Sequence, residues 1–470
     1  MNINVIVNAG ARVKQKVKYG FTLLFQPLRV NLQFPELLQD GGINILYGKE
    51  LPADNDKIFS IKPSEEFEKC VSGPKLPELD KIEWLNFVNK RLPKMFPVSN
   101  ADNQSSLDFD IAAAAFILAS NFQDLISLER DEFDRLRAMD SIQDRLGVLN
   151  FPVVNYYSLL LKHRLEEFFN IRIYLKKYNE ADCGLALTHD VDYTSSLNYK
   201  IIKREIFGNA ILNRQGLSTN ERAEKLTLPL LALFGYDPPK SGLSFLRDIE
   251  MRYGVKSTFF IKAGATDKED VRYNYRSRKM RSFLKSLLDS GFEVGIHPSM
   301  KTYIDVDEFI REKTRLENLL RKKTSSVRQH YLKFTAGRTI GIWETAEMKY
   351  DSTLGFSRKV GFRNSAAFPF PLYNFVEDRI STVIELPLIL MDGTVADDKR
   401  LTTEQAFEKM KELLHETKEA YGAAAILFHN SLTDQIDFPG YKKIYEQLLA
   451  EAQGGCFSIG TLEGVIENFR

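Results

Sequence analysis

Two aspartates follow a short apolar stretch in the segment Thr188-His189-Asp190-Val191-Asp192. Side chains two apart on a strand share a face, which predicts that Asp190 and Asp192 lie roughly 6–7 Å apart, with His189 on the opposite face. Two neighbouring carboxylates need a compensating cation, arginine or shared proton. With a divalent metal, one aspartate binds the ion and the other takes a proton from water. The alternatives are a helix N-cap or ion pair for the aspartates and a structural role for His189.

Histidines are scarce in this chain, and their positions are therefore informative. Of six histidines, four lie in or at the ends of predicted strands: His189, His297, His330 and His429. In barrels of parallel strands, side chains at the carboxyl ends of the strands converge on one site. His297 follows FEVGI and is expected to bind the same metal, although a His-Pro turn by itself is more often structural. His429 follows AILF at the end of a late strand, where it is suitably placed for a general acid.

The second half of the chain alternates short apolar runs with stretches of helical period. This pattern is typical of strands joined by crossover helices around a mainly parallel sheet. The predicted strands are 183–193, 255–262, 292–299, 326–334, 349–356, 383–390 and 423–431. Helical faces are predicted at 280–288 and 306–320, and at 402–421 with capping-box spacing at its start. About seven strands with intervening helices predict an α/β fold, a distorted (β/α) barrel.

The chain divides into two regions with different patterns. Residues 1–180 predict a smaller mixed α/β domain of unknown role, with short strands near 3–7 and 43–48 and an amphipathic helix at 108–125. Residues 181–470 predict the barrel. About sixty residues separate its first two strands, where a short loop and one helix suffice, so we expect an insertion at about 198–240 near the mouth of the barrel.

Composition excludes several classes of protein. The 470 residues include 64 Lys and Arg against 63 Asp and Glu, and a net charge of +1 argues against binding to nucleic acid through phosphate contacts. Three widely separated cysteines fit neither a disulfide framework nor a cysteine zinc site. The longest apolar run, 111–119, is shorter than the roughly 20 residues that span a bilayer. The N-terminus lacks the order of a secretion signal, and we expect a cytoplasmic protein without a transmembrane segment.

Taken in order, these segments resemble the polysaccharide deacetylases of carbohydrate esterase family 4. The resemblance covers roughly residues 183–470 and includes STFFIKAG at 257–264, which is similar to the family's second strand. It implies a metal-dependent enzyme that removes acetyl groups from N-acetylated sugars. The first half, with DFDIAAAAFILASNF and FPVVNYYSLLL, is similar to the extra domain of a cytoplasmic-looking bacterial branch of this family.

The resemblance also implies roles for individual residues. Asp190 matches the catalytic base, and Asp192 and His297 match metal ligands. Arg328-Gln329-His330-Tyr331 resembles the third motif, in which the arginine orients the base and a neighbouring backbone N–H, here that of Tyr331, helps to bind the oxyanion. The site residues implied as catalytic by the family motifs are Asp190, Arg328, Tyr331 and His429, the last protonating the leaving amine.

The sequence departs from the family pattern at three places. Lys301 stands where the second metal histidine is usual, and a protonated ammonium cannot bind a metal. His330 replaces a proline, and we hypothesise that it supplies the missing ligand; a structural or substrate-facing His330 is the alternative. Lys301 could instead hold an anionic substrate or leave the site without metal. In the fourth motif, Glu385 and Asp392 are equally eligible.

The function expected from the sequence is hydrolytic deacetylation of an N-acetylated glycan or glycan precursor. The expected cofactor is a divalent metal ion, with zinc as the first choice, bound by Asp192, His297 and His330. One alternative is a deacetylase-like carbohydrate-binding or scaffold protein that has lost its metal. A second is hydrolysis of a different C–N bond with the same residues.

Overall fold

The computed structural model describes residues 1–39, 41–48, 58–98, 105–197, 234–398 and 400–470, together with short pieces between 198 and 233. The strands in the described ranges are β1 (Asn2–Val7), β2 (Asn31–Gln33), β3 (Ile43–Tyr47), β4 (Ile58–Ile61), β5 (Glu83–Phe87), β6 (Lys90–Lys94), β7 (Cys183–Val191), β8 (Thr258–Ile261), β9 (Glu293–Ile296), β10 (Ser326–Val327), β11 (Tyr350–Asp351), β12 (Phe370–Asn374), β13 (Arg379–Glu385), β14 (Leu388–Met391), β15 (Ala423–Leu427) and β16 (Phe457–Gly460).

Helices lie between many of the strands. They are α1 (Ala11–Phe25), α2 (Glu65–Ser72), α3 (Ile111–Ala119), α4 (Phe122–Ile126), α5 (Ile142–Arg145), α6 (Val153–Phe169), α7 (Pro238–Arg252), α8 (Arg278–Asp289), α9 (Val306–Leu320), α10 (Thr339–Thr345), α11 (Asp392–Ala396), α12 (Thr403–Glu419), α13 (Tyr441–Gly454) and α14 (Leu462–Glu467). The three predicted helices of the second half correspond to α8, α9 and α12. The capping box of α12 is present, between Thr402 and Gln405. Among the described residues, every helix is too short or too polar to cross a bilayer.

The first 180 residues contain a parallel sheet in the order β2-β1-β3-β4 and an antiparallel hairpin of β5 and β6. The predicted amphipathic helix at 108–125 is wrong in two respects. It is interrupted at Asn121, whose φ of 67° is left-handed, so that α3 and α4 are separate helices. All nine residues of α3 are buried, because this helix lies inside the molecule and has no solvent-facing side.

The second half of the chain forms a ten-stranded sheet in the order β12-β13-β11-β10-β9-β8-β7-β15-β14, with β16 also paired to β7. Strand pairing is parallel throughout, except between β12 and β13. The expected number of about seven strands is therefore too low. The predicted strand 383–390 is two strands, β13 and β14, and β12 and β16 were not predicted.

The break between β13 and β14 curls this sheet. The N–H of Leu386 donates to the carbonyl of Asp351 on β11, the third strand from one end of the sheet, and the carbonyl of Pro387 accepts from the N–H of Ala425 on β15, next to the other end. Two consecutive residues thus bond to strands from the two ends of the strand order, and this brings the ends of the sheet together. The α/β class and a curled, barrel-like sheet are as predicted.

The strands that lead to the site end earlier than predicted. Strand β10 ends at Val327, whereas the sequence predicted a strand to residue 334. The chain turns instead at Tyr331 and Leu332, with φ values of 61° and 53°. Most of the predicted insertion at 198–240 lies outside the described residues, and α7 begins at Pro238.

The first 180 residues pack directly on the barrel. Buried apolar side chains of both regions belong to one continuous core. The side chain of Asn155 on α6 bonds to the backbone of Ala367 and to the carbonyl of Ala420. Arg363 and Asp124 form a buried ion pair, with Nη2 and Oδ2 3.0 Å apart. These contacts fix the position of the loops of the first region beside the mouth of the barrel.

Candidate metal centre and active site

Three side chains from different strand ends form a cluster that could hold a metal. They are Asp192, His297 and His330, and one donor atom from each lies within 4.8 Å of the others. Oδ1 of Asp192 is 3.5 Å from Nε2 of His297 and 3.1 Å from Nε2 of His330. Asp192 follows β7 and His297 follows β9, as the convergence of parallel strand ends requires.

The imidazole of His297 is fixed in the form that can bind a metal. Its Nδ1 lies 2.6 Å from the carbonyl oxygen of Arg328. Because a carbonyl oxygen only accepts hydrogen bonds, Nδ1 carries the proton and donates it. Nε2, the nitrogen that remains available to a metal, then faces Asp192. Metal-binding histidines are commonly held in this way by a hydrogen bond to the other ring nitrogen.

His330 occupies the third position of the cluster, as hypothesised from the sequence. Its Nδ1 donates to Oδ1 of Asp270 at 2.7 Å, which leaves Nε2 facing Asp192. Burial and the nearby Lys262 lower the pKa of His330, but Asp192 and Asp270 outweigh them and raise it. Burial by itself would raise the pKa of Asp192, yet His297, His330 and Lys262 hold it well below its usual range.

Lys301 lies outside this cluster. Its side chain is 59% exposed, and Nζ pairs with Oδ2 of Asp267 at 3.2 Å. The residue at the usual position of the second histidine therefore points to the surface, and His330 reaches the cluster instead from the end of the next strand, β10.

Asp190 lies beside the cluster and faces a buried arginine. Its Oδ2 is 3.8 Å from Nε2 of His297, and its Oδ1 is 3.6 Å from Nη1 of Arg328. Arg328 is fully buried, stacks over the ring of Phe260, and donates from Nη2 to the hydroxyls of Thr188 (3.1 Å) and Ser352 (3.0 Å). These contacts fix its guanidinium next to Asp190, and this is the position expected for a residue that orients a base.

His429 lies on the opposite side of Asp192. Its Nε2 is 3.8 Å from Oδ2 of Asp192, and its Nδ1 donates to Oδ1 of Asp392 at 2.6 Å. The backbone N–H of His429 donates to the other oxygen of Asp392, also at 2.6 Å. Of the two carboxylates that the sequence offered, Asp392 is therefore the one that binds His429. The alternative, Glu385, is buried beside Asp351. Burial and the neighbouring carboxylate of Asp351 both raise the pKa of Glu385.

The environment of His429 keeps it protonated at neutral pH. Burial lowers the pKa of His429, but Asp392, Asp192 and Asp190 outweigh burial and raise it to about 9. Such a group can donate a proton near pH 7, which suits a general acid.

The raised pKa of His429 predicts how the stability of chelator-treated protein depends on pH. A histidine with a raised folded-state pKa stabilises the fold fully below its unfolded pKa of roughly 6.5, and the contribution disappears as pH rises through about 9. We expect His429→Gln to lower the free energy of unfolding by on the order of 3 kcal/mol at pH 6 and by much less at pH 9.5. Urea unfolding at both pH values measures this difference. His415→Gln, on the exposed side of α12, is the control. An equal loss at both pH values for His429→Gln would contradict the prediction.

The clustered side chains open onto a cavity of about 280 Å³ at the carboxyl ends of the strands. Its wall includes Tyr331, Tyr193, Met391 and Leu432, and also Arg135 from the first 180 residues. Rings beside hydrogen-bonding groups suit a sugar, whose faces are apolar and whose edges carry hydroxyls. The volume is at the small end of the range for small-molecule sites, roughly 300–1,000 Å³.

The chemistry of the donor set fits a zinc-like ion. Two imidazole nitrogens and one carboxylate oxygen form a set of the kind that binds catalytic zinc, with further coordination positions open. Oδ1 of Asp192 is buried and makes no hydrogen bond, although three cationic or imidazole groups surround it. A cation between these donors would satisfy that oxygen. Asp192, His297 and His330 are therefore the residues that would hold the metal.

His189 lies on the opposite face of β7 and belongs to a separate buried network. Its Nδ1 donates to the carbonyl of Phe428 at 2.7 Å, and its Nε2 is 2.6 Å from Oε1 of Glu250. Tyr445 and Ser257 donate to the two oxygens of the same carboxylate. Both His189 and Glu250 are fully buried. The network ties β7 to α7 and α13, as expected of a structural histidine.

Two residues of the site were not identified from the sequence. Nζ of Lys262 is 3.3 Å from Nε2 of His330 and 3.9 Å from Oδ1 of Asp192. The sequence did contain a signal for Lys262, because a lysine that directly follows the buried strand TFFI is unusual. Asp270 lies in the polar segment DKED, which has no pattern that separates it from an ordinary loop.

Comparisons with known proteins give one family match and several similar solved structures. Residues 6–170 match the model of a family of unknown function, DUF7033. No curated protein matches the sequence. Similar solved structures include a putative polysaccharide deacetylase from Mycobacterium smegmatis, with 17% identity, a TM-score of 0.40, and coverage of 62% of this chain and 90% of that one.

Two further structures of this kind give similar values. A probable polysaccharide deacetylase from Pseudomonas aeruginosa PAO1 has 14% identity, a TM-score of 0.39, and coverage of 61% of this chain and 90% of that one. A pseudoenzyme of the CE4 family from Bacillus anthracis has 12% identity, a TM-score of 0.33, and coverage of 64% and 72%. The functional assignment therefore rests on the residues of the site.

Proposed function

We propose that this protein is a metal-dependent hydrolase that removes the acetyl group from an N-acetylated sugar of a glycan or glycan precursor. The observation that carries the proposal is the juxtaposition of Asp192, His297 and His330 with two further groups, Asp190 and His429, on either side. A set of metal ligands, a carboxylate and a protonated histidine is what metal-assisted amide hydrolysis requires.

Asp190 acts as the general base in this proposal. A divalent ion held by these residues would supply Lewis acidity, which polarises an amide carbonyl and lowers the pKa of bound water to roughly 7. Asp190 accepts the proton of the attacking water and does not bind the ion. Nη1 of Arg328 lies 3.6 Å from Oδ1 of Asp190, and the buried guanidinium keeps the carboxylate in place.

His429 acts as the general acid. An amide nitrogen departs only once it is protonated, and Asp392 beside Nδ1 favours the protonated form of His429, which donates its proton to the nitrogen as the C–N bond breaks. Asp392 holds the ring through Nδ1, so that Nε2 is the nitrogen that faces the cavity and donates. The product amine and acetate then leave through the open side of the cavity.

Tyr331 is proposed to stabilise the tetrahedral oxyanion through its backbone N–H. The residue follows His330 directly, so its peptide lies next to a metal ligand. A preorganised backbone donor at such a point contributes roughly 3–4 kcal/mol to lowering the barrier in other hydrolases. The ring of Tyr331 lines the cavity, where it can stack on a sugar face.

The test is acetate release from a panel of acetylated sugars. Chitooligosaccharides, peptidoglycan fragments and nucleotide-linked N-acetyl sugars are incubated with protein treated with a chelator, with and without added Zn²⁺, Co²⁺ or Mn²⁺. We expect release from at least one substrate that appears only when metal is restored. Release that is equal in the presence of a chelator, or absent with every ion, would overturn the proposal.

One observation favours a second candidate, a carbohydrate-binding protein without a metal. The ammonium of Lys262 lies 3.9 Å from Oδ1 of Asp192, and a built-in cation at this distance can compensate the carboxylate in place of an ion. The metal content of protein purified without chelators separates the two candidates. About one divalent ion per chain favours the enzyme, and its absence, with no binding of added Zn²⁺, favours the binding protein.

A further inference from the structure

We infer that Arg135 is a positioning residue of the proposed site, acting from the first 180 residues on the turn that carries His330 and Tyr331. The inference rests on the proposed function and assigns to the first region a role in it. Its basis is a set of contacts between the loop 131–135, which we call the clamp loop, and the turn His330–Leu332 of the barrel.

Arg135 connects the clamp loop to the turn. Its Nη1 donates to the carbonyl oxygen of Tyr331 at 2.7 Å. Nε and Nη2 of the same guanidinium bind Oδ2 of Asp131, at 2.8 Å and 2.7 Å. The side chains of Arg135 and Asp131 are only 10% and 8% exposed. A planar guanidinium held by a carboxylate on one edge presents its other nitrogen in a fixed direction, which a flexible ammonium would not do.

The clamp loop is itself rigid. Oδ1 of Asp131 accepts hydrogen bonds from the backbone N–H groups of Phe133 and Arg135, at 2.9 Å and 3.0 Å. The ring of Phe133 packs on the ring of Tyr331, with 4.7 Å between centroids. Tyr331 is thus held both at its ring and at its carbonyl by residues of the first region.

The held turn has an unfavourable backbone conformation. Tyr331 and Leu332 have φ values of 61° and 53°, which for residues other than glycine cost roughly 1–2 kcal/mol each. Such a conformation persists only where surrounding contacts enforce it. Without the bond to Arg135, the Tyr331 carbonyl loses a charged donor, and the peptides on either side are free to relax.

Relaxation of this turn would disturb two functional groups at once. His330 supplies one of three possible metal ligands, and Tyr331 supplies the proposed oxyanion donor. A displacement of about 1 Å in such groups can reduce the rate by about 10²-fold. Other contacts between the two regions, such as Arg363 with Asp124, do not touch the turn, so a loss that follows Arg135 specifically would reflect positioning and not interface stability.

The experiment compares Arg135→Ala and Arg135→Lys with a matched control in the full-length chain. Arg137→Ala removes the same charge two residues away, where Arg137 pairs with Asp140 and Glu129 and is 39% exposed. Calorimetry gives the Kd of Zn²⁺, acetate release gives kcat and KM separately, and circular dichroism gives Tm. For Arg135→Ala we expect Zn²⁺ affinity to fall by about 10- to 100-fold and kcat by a similar factor, with KM changed less.

Lysine cannot bind Asp131 and Tyr331 in the same bidentate geometry, and Arg135→Lys is expected to lose about 5-fold or more in Zn²⁺ affinity. Arg137→Ala should match the wild type in all three measurements. Zn²⁺ affinity and kcat of Arg135→Ala within about 2-fold of the wild type would overturn the inference. If Arg135→Ala does not fold, Arg135→Lys is the test, and Zn²⁺ affinity and kcat within about 2-fold of the wild type would then overturn the inference. If no substrate releases acetate, the proposed function fails, and Zn²⁺ affinity alone still tests Arg135.

Discussion

Asp190→Asn is expected to reduce kcat for acetate release by about 10³-fold while leaving Tm and Zn²⁺ binding close to those of the wild type. An amide of nearly the same shape cannot accept a proton from water, and general bases contribute roughly 10²- to 10⁴-fold to rate. Zn²⁺ binding should persist because the proposed ligands are Asp192, His297 and His330. Initial rates at saturating substrate, with metal restored, measure the effect.

The matched control is another acidic residue of the same cavity. Glu269 lines the cavity, pairs with Lys268 near the surface and contacts none of the three proposed ligands in the contacts described. Glu269→Gln removes the same charge, and we expect kcat to remain within about 3-fold of the wild type. A rate of Asp190→Asn no lower than that of Glu269→Gln would show that Asp190 is not the base, and the proposed mechanism would then lose its first proton transfer.

His330→Ala is expected to abolish stoichiometric metal binding and, with it, detectable turnover. Outer-shell partners of a metal site are typically worth 10- to 100-fold in metal affinity, so removal of a direct ligand should weaken Zn²⁺ binding by more than about 100-fold. The loss should be specific, since Asp192 and His297 remain but form an incomplete set. Metal content by mass spectrometry, together with Zn²⁺ calorimetry, measures it.

Lys301→Ala provides the comparison, because Lys301 was the other candidate position for the third ligand in the sequence. Its ammonium is exposed and pairs with Asp267, and the substitution should leave Zn²⁺ affinity within about 2-fold of the wild type. Full metal content in His330→Ala would remove His330 from the proposed ligand set, and loss of metal in Lys301→Ala would show that Lys301 contributes to the site. The two variants together decide which strand end completes the site.

Local patterns in the sequence were sufficient for the parts of the site that each strand fixes by itself. The two-residue period of β7 predicted that Asp190 and Asp192 share a face and that His189 does not, and the structure places them so. The position of His297 and His429 after apolar strands predicted that both lie at the same mouth. These predictions depend only on backbone geometry and on the convergence of parallel strand ends.

Backbone conformations that depend on packing could not be predicted from local patterns in the sequence. Strand β10 ends seven residues earlier than the sequence predicted, and the chain turns at Tyr331 instead of continuing as a strand. The interruption at Asn121 divides a predicted helix. In both places residues adopt left-handed φ values, which Asn121 tolerates better than most residues and which surrounding contacts enforce at Tyr331 and Leu332. One error in the predicted number of strands has a related cause. The predicted strand 383–390 is divided into β13 and β14 because Leu386 and Pro387 bond to two different neighbouring segments.

By itself, then, the sequence determined the α/β class, the strand that carries the aspartates, and a short set of candidates for each remaining role. The tertiary structure decided among them: His330 and not Lys301 beside Asp192, Asp392 and not Glu385 behind His429. It also brought Arg135 to Tyr331, across 196 positions of the chain. Such choices depend on distances between segments far apart in sequence, and those distances are set only when helices and strands pack together.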